Sequence, residues 1–422
     1  MVDKEHSISN NIFPTLKNIL YLSYDGMTDQ LGQSQVIPYL IGLSKSGYRF
    51  TIISFEKEAR YELEKETISK LLGEHDIAWM PIKYTKKPPV LSTVWDVLKM
   101  KRAAFRLHQT KHFELVHCRS YISALVGLMM KKKLGIKFVF DMRGFWADER
   151  IDGGIWKLSN PFYSMIYKYF KRKEKEYLSA ADYTISLTEA ARKTIHGFPY
   201  MKHEIPIQVI PCCADVELFS RANVSENAIE KFRKQLNLPK GPFTISYLGA
   251  IGTWYMLDEM LEFYKRLLIS RPDARFLFIT NESPESIMDK AHSLSVSTVG
   301  ISIIAAKRHE VPTLLCLSEV SLFFISPTYS KIASSPTKMA EIMAMGIPII
   351  CNKNIGDVEA NIAETGICID RFDDETYDRT IQQIDTLLTL NPELIRQKSI
   401  RLFSLERGTS LYAEVYSRLL GQ

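Results

Sequence analysis

Short runs of β-branched and aromatic residues recur along the chain, each followed by a longer stretch with helical spacing. In the first half the runs are Asn18–Tyr24, Arg49–Phe55, Ile77–Ile82, Glu114–Cys118, Lys137–Asp141, Tyr183–Leu187 and Ile207–Pro211. Helical stretches such as Ser34–Ser46, Thr93–Gln109, Tyr121–Lys133 and Phe162–Ala180 lie between them. The pattern pauses over the polar segment Asp215–Lys240. It then resumes with Phe243–Leu248, Arg275–Thr280, Gly300–Ala305, Ser321–Ile325, Ile347–Cys351 and Gly366–Ile369. Apolar strands that alternate with helices predict parallel sheets covered on both faces. The restart predicts an α/β protein of two doubly wound, Rossmann-like domains, with a boundary near Pro211–Ser225. Ligands bind beyond the carboxyl ends of parallel strands, and two such domains facing each other enclose a cleft. The loops just after each strand are therefore the places to look for chemistry.

Composition agrees with this picture. A chain of 422 residues has room for two or three domains, and 46% hydrophobic with 24% charged residues describes a soluble globular protein. No apolar run approaches the roughly 20 residues of a transmembrane helix. The N-terminal MVDKEHSISNNIFP lacks the basic segment and apolar core of a signal peptide. The six cysteines, Cys118, Cys212, Cys213, Cys316, Cys351 and Cys368, show no CxxC or other metal spacing, and most sit in apolar runs. A reduced, cytoplasmic location is expected. The net charge of +6 is concentrated in Lys168–Lys175, just after a run of aromatic and apolar residues that starts at Phe162. No nucleic-acid motif accompanies these lysines. The segment Phe162–Lys175 is thus a candidate peripheral contact with an anionic membrane, at the inner face of the cell membrane. The competing reading is a helix with its apolar side in the core and its lysines in water.

The most informative loop is SKIASSPTKMAEIMAMGIPIICN, Ser330–Asn352, in which Glu341 is the one carboxylate of an otherwise uncharged run from Met339. Ser335 as N-cap, Pro336 at the first helical position and Gly346 with Pro348 as the stop predict a helix of about three turns. Its N-terminus offers free backbone N–H groups to a phosphate, with Ser334, Ser335 and Thr337 adding hydroxyls and Lys331 and Lys338 adding charge. Glu341 lies about six residues in, roughly 9 Å from the cap, where its carboxylate can accept hydrogen bonds from a ribose diol. The competing reading is an intrahelical pair with Lys338.

A second loop, LGAIGTWY (Leu248–Tyr255), follows the first strand of the second half. Gly249 and Gly252 allow close backbone approach beside Thr253, and Trp254 and Tyr255 can stack on a base or sugar. In the first half, SYDGMTDQLGQSQVIPYL carries Gly26, Gly32 and Gln33 on a flexible loop that faces an acceptor or the donor phosphates. VHCRS puts His117 and Arg119 at another strand end. FDMRGFWADERIDGG is the densest polar loop, and its Asp141 and Arg143 are candidates for catalysis or acceptor binding.

Together these segments resemble bacterial glycosyltransferases of the GT-B fold, close to glycosyltransferase family 4. The resemblance spans nearly the whole chain and includes FSLERGTSLYAEVYSRLL near its end. It implies an acceptor-binding domain over residues 1–215 and a nucleotide-sugar-binding domain over 216–400. A closing helix over 401–422 would cross back to the first domain. The implied reaction is a retaining transfer from a nucleotide-diphosphate sugar, without bound metal or other cofactor. The acceptor would be a glycan or lipid-linked molecule of bacterial surface polysaccharide synthesis, and nucleic acid is not a partner. The sequence departs from the family in three places. Ala333 stands where the first of a glutamate pair is usual. GAIGTWY lacks the usual arginine and lysine, which leaves Lys331 or Lys338 to supply the cation. DMRG replaces the usual first-domain histidine. A nucleotide-sugar 2-epimerase of the same architecture and a non-catalytic sugar-nucleotide-binding scaffold are the alternatives.

Overall fold

The computed structural model describes residues 16–421, so the segment read above for a signal peptide lies outside them. All thirteen apolar runs form strands. In the first domain they are β1 (Lys17–Ser23), β2 (Tyr48–Glu56), β3 (Ala78–Lys83), β4 (Leu115–Arg119), β5 (Lys137–Asp141), β6 (Tyr183–Ser186) and β7 (Ile207–Val209). They make one sheet in the order 3-2-1-4-5-6-7, parallel throughout. In the second domain, β8 (Thr244–Leu248), β9 (Arg275–Ile279), β10 (Ile301–Ile304), β11 (Val320–Leu322), β12 (Ile349–Asn352) and β13 (Gly366–Ile369) make a parallel sheet in the order 10-9-8-11-12-13. Strand order reverses between β1 and β4 and again between β8 and β11, the switch points where crevices open in doubly wound sheets.

β11 stops short of its predicted end because the next residues pair elsewhere. Met256 N donates to Phe324 O at 3.0 Å, Tyr255 bridges Ile325, and Ser326 N donates to Trp254 O at 2.8 Å. The loop after β8 is thereby pinned over the end of β11.

Period-two alternation decides which strand residues enter which core. Leu115, Val139 and Ile185 face one side of the first sheet, and Val116, Phe138 and Phe140 face the other. The first side is covered by the helices Ile37–Ser44 and Leu405–Leu420. The latter presents Leu411, Tyr412, Val415 and Tyr416 as one buried stripe against Tyr39, Tyr48 and Phe50. The preceding helix, Pro392–Phe403, packs on the second domain beside the helix Thr337–Ala344, where Ser399 Oγ donates to Ala340 O at 2.9 Å. The chain therefore changes domain at Ser404. Phe403 O there accepts from Ala214 N at 2.8 Å, beside the first crossing between the domains.

Candidate active site

A cavity of about 1440 Å³ lies between the two sheets' carboxyl ends. The second domain contributes Trp254, Tyr255, Ile325, Ser330, Lys331 and Ser334–Thr337 to its walls, and the first contributes Asp25, Arg119, Arg143–Trp146, Glu149 and Arg150. Loops after β1, β4, β5, β8 and β11 thus converge here, as parallel-sheet topology requires.

The helix behind the second-domain wall runs from Thr337 to Ala344, two turns rather than three, and its N-cap is Pro336 rather than Ser335. Ser335 is committed elsewhere: its Oγ accepts from Cys212 N across the interdomain boundary at 3.1 Å. Ser334, Ser335 and Thr337 still line the cavity at the helix tip. Lys338 turns away from it. Its Nζ donates to Tyr247 OH at 3.0 Å and sits 3.6 Å from the centroid of the Tyr255 ring. Burial holds this ammonium well below its usual pKa, only partly offset by the Glu341 carboxylate. Gly249, with φ +111°, is needed beside it, because a Cβ there would meet Lys338 Nζ at 3.0 Å.

Glu341 is not hydrogen-bonded to Lys338, the intrahelical partner considered from sequence. Its Oε1 accepts from Arg308 Nη1 at 2.8 Å, and Arg308, just past β10, is the exposed member of the pair. Burial raises the Glu341 carboxyl above its usual pKa, against the pull of Arg308 and then Lys338.

Of Lys331 and Lys338, the two lysines expected to supply a cation, Lys331 is the one that lines the cavity. It lies on the single-turn helix Tyr329–Ala333, 2.7 Å from Glu149 Oε1 of the first domain and 3.7 Å from the centroid of the Trp254 ring. Asp152 accepts from Ser330 N at 2.8 Å, and Thr188 Oγ1 donates to Ile332 O at 2.8 Å. Asp357 accepts from Glu189 N and Ala190 N at 2.6 and 2.9 Å. These contacts clamp the domains on either side of Lys331. Ala333, where the resemblance leads one to expect a carboxylate, is buried against the first-domain core.

The family model for Glycosyltransferase Family 4 matches residues 36–218, and that for Glycosyl transferases group 1 matches residues 228–394. The chain is a GT-B glycosyltransferase that resembles family 4. No curated protein matches it. Among solved structures, a glycosyltransferase from Rickettsia africae superposes with a TM-score of 0.72 at 18% identity, covering 97% of this chain and 99% of the other. A sucrose-phosphate synthase from Thermosynechococcus elongatus gives 0.69 at 15% identity, covering 96% and 99%. HepE from Anabaena, in complex with UDP and glucose, gives 0.67 at 14% identity, covering 94% and 99%.

Several first-domain candidates of the glycosyltransferase sit away from the cavity. His117 and Asp141 share the strand face of Leu115 and Val139, so alternation directs both under the closing helix. His117 Nδ1 is 2.7 Å from Tyr416 OH and its Nε2 is 3.4 Å from Asp141 Oδ2, which also accepts from Tyr412 OH at 3.1 Å. An acceptor-contacting His117 and a catalytic Asp141 are both corrected by this burial. Gly26 and Gly32 are likewise not on an open, flexible loop. The loop is packed: Glu56 accepts from Met27 N and Thr28 N at 2.8 and 3.1 Å, and a Cβ on Gly26 would meet Glu56 Oε2 at 2.6 Å. Gly32 and Gln33 lie on the short helix Gln30–Gln35, where Gln33 Nε2 donates to Thr28 O, and the segment meets the cavity through Asp25 and Leu31 instead. Gly252 and Thr253 are exposed and lie outside the cavity walls. Lys171, in the basic run, is held inside the domain by Asp148 at 2.9 Å and Glu174 at 2.6 Å.

The sequence reading missed Glu149, Arg308 and Asp25. Glu149 was one of six charges in its loop, and nothing in the spacing separated it from the rest. Arg308 follows a strand end in the second sheet, the one signal that marked its position.

The buried His117 cluster makes the fold of the glycosyltransferase sensitive to acid. Burial holds the His117 imidazole below its ordinary pKa of about 6.5, despite the pull of Asp141. Asp141 ends below the usual carboxylate range, because Arg143, His117 and Arg119 outweigh the effect of its burial. For His117 the unfolded chain takes up a proton that the folded chain refuses. Its contribution is complete above about pH 6.5 and declines as pH falls from there towards the folded pKa, by at most about 1.4 kcal/mol per pH unit. Asp141 adds a loss of the same sign at lower pH. Urea unfolding between pH 7.5 and 5 is expected to show this slope and His117→Asn to reduce it; equal slopes would disprove the assignment.

Proposed function

We propose that this glycosyltransferase moves a sugar, with retention, from a nucleotide-diphosphate sugar to a glycan or lipid-linked acceptor. Bacterial surface polysaccharide synthesis, on the cytoplasmic side of the membrane, is the setting that fits such an acceptor. The observation that carries the reading is Lys331, almost fully buried at the junction of both domains, beside the hydroxyl-lined tip of Thr337–Ala344. Negative charge develops there as a nucleoside diphosphate leaves. Lys331, the Ser334, Ser335 and Thr337 hydroxyls and the helix N-terminal amides would stabilise it.

Front-face attack by the acceptor agrees with the carboxylates at hand. Asp25 and Glu149 line the cavity, and each is ion-paired, to Arg119 at 3.3 Å and Lys331 at 2.7 Å. Neither stands apart from these pairs as a dedicated nucleophile for a double displacement. Arg143 would balance charge at the reacting centre, and closure of the domains would align donor and acceptor. Trp254 and Tyr255 would pack on the donor.

A panel of UDP-, GDP-, ADP- and dTDP-sugars tests the reading. The true donor at 100 times its dissociation constant adds about 2.7 kcal/mol of stability and is hydrolysed slowly. A panel that gives neither stabilisation nor hydrolysis rules the reading out. Among the described residues no group of three or more His, Cys, Asp or Glu side chains is placed to hold a metal, so we expect transfer to persist in EDTA. Activity lost in EDTA and restored by magnesium or manganese would refute metal independence.

A further inference from the structure

We propose that the first-domain arm of the cavity binds a phosphate-linked lipid, with its phosphate between Arg119 and Arg143 and its hydrocarbon chain in an apolar trough beyond them. The proposal rests on the acceptor half of the reading above and narrows that acceptor to one chemical class.

The two arginines show the phosphate site. Arg119 is 4% exposed and Arg143 has a side chain 9% exposed, and both line the cavity. Each keeps a buried Nη1 with no hydrogen-bond partner. Their remaining contacts are poor: Arg119 Nε reaches Asp25 at 3.3 Å and Arg143 Nη2 reaches the Cys212 sulfur, a weak acceptor, at 3.3 Å. Asp141 Oδ1 lies 3.9 Å from Arg143 Nη1, an ion pair too long to be a hydrogen bond. Guanidinium groups buried with unused donors are costly, and a phosphate matches their fork geometry. The backbone is unusual at the same two places. Arg143 has φ +57° and Ser120, immediately after Arg119, has φ +66°, left-handed positions that cluster where a ligand is gripped.

The chain site begins where the arginines end. The helix Ser120–Leu134 starts directly after Arg119 and lines the cavity with Ile122, Leu125 and Met129, an i, i+3, i+7 stripe that ends at Lys132. That stripe is about 15 Å long. Val97 and Leu98 face it from the helix Leu91–Lys111, and Met165 and Tyr169 from the helix Pro161–Ala180. Of the eighteen large apolar side chains exposed among the described residues, nine lie in 91–98 and 155–169, and five of these, Val94, Leu98, Ile155, Met165 and Tyr169, line the cavity. An apolar trough continuous with a buried cationic pair is complementary to a hydrocarbon ending in a phosphate.

The probes are butyl, octyl and dodecyl phosphate below their micellar concentrations, titrated into the full chain by calorimetry. Affinity is expected to rise at least tenfold with each lengthening, since a buried methylene contributes up to about 0.8 kcal/mol. Leu98→Asp with Met165→Asp should flatten that dependence, whereas Val299→Asp, an exposed position in the second domain, should leave it intact. Arg119→Gln should weaken dodecyl phosphate at least tenfold and leave dodecanol unaffected. UDP titration of each variant checks that the donor side is folded. If UDP binds and the phosphates show no dependence on chain length, the proposal fails. The same holds if anionic vesicles bind without that dependence, because the apolar walls then serve only to rest on a membrane. If inorganic phosphate displaces dodecyl phosphate as well as butyl phosphate does, a bare anion site is all that remains, and the proposal is again overturned. Chain-length dependence without binding of UDP, GDP, ADP or dTDP would support the lipid site and count against the donor reading.

Discussion

Glu341→Gln is expected to weaken nucleotide binding about tenfold to a hundredfold while the fold stays intact. The carboxylate is buried, and its visible partner is the half-exposed Arg308. A ribose diol offered at this point would donate two hydrogen bonds to a charged acceptor, and bonds to charged groups contribute about 1.5–3 kcal/mol. Glutamine keeps the shape and one acceptor oxygen but loses the charge. The fold should tolerate the change because burial already raises the Glu341 carboxyl, and Arg308 can turn to water. A 2′-deoxyribose donor should bind the wild type poorly and lose little further in the variant. If Glu341 serves only as an anchor for Arg308, then Arg308→Ala and Glu341→Gln will lower thermal stability together, and both donors will bind every variant alike.

Lys331→Met should lower kcat about a hundredfold to a thousandfold with a smaller change in KM. Removing one preorganised donor to a developing oxyanion costs about 2.7–4 kcal/mol in the transition state, and Lys338, the other lysine near the helix tip, cannot take over because it is held in its cage of tyrosine rings. The ion pair with Glu149 sharpens the test. Were Lys331 merely a strut between the domains, Glu149→Gln would match Lys331→Met in both kcat and stability. If Lys331 instead stabilises the leaving diphosphate, Glu149→Gln is the milder lesion. Equal loss in the two variants, or a Lys331→Met enzyme within threefold of wild type, would remove Lys331 from the mechanism.

The architecture was legible because a parallel strand writes itself as an apolar run, and thirteen such runs stand in the sequence. β11 was overextended because Phe324 and Ile325 are as apolar as a strand but pair with the loop after β8, a choice made by distant residues. The active-site loops were legible from strand ends, and Arg143, Lys331, Trp254 and the serines at the helix tip do meet in the cleft. The fate of individual charges was harder to read. Lys338 is four residues from the cavity wall at Ser334, but its direction is decided by Tyr247 and Tyr255, some eighty to ninety positions earlier. His117 and Asp141 could have been placed correctly. Their parity with Leu115 and Val139 already assigned them to a covered face, and only the identity of the cover, the closing helix, required the three-dimensional structure.

That helix also sets an order of events during synthesis. Tyr412, Val415 and Tyr416 complete the core begun by Ile19, Tyr21, Phe50 and Ile52, yet they are translated after both sheets. At about 5–20 residues per second, roughly 10–40 s pass between emergence of the first sheet and of its cover. Over that interval one apolar face of the nascent first domain, with His117 and Asp141 upon it, lacks its lid. The second domain, whose sheet and helices are contiguous in the chain, can form without waiting. The half of the protein made first is therefore expected to finish folding second, and shortening the chain before Leu411 would leave a first domain dependent on chaperones rather than a smaller enzyme.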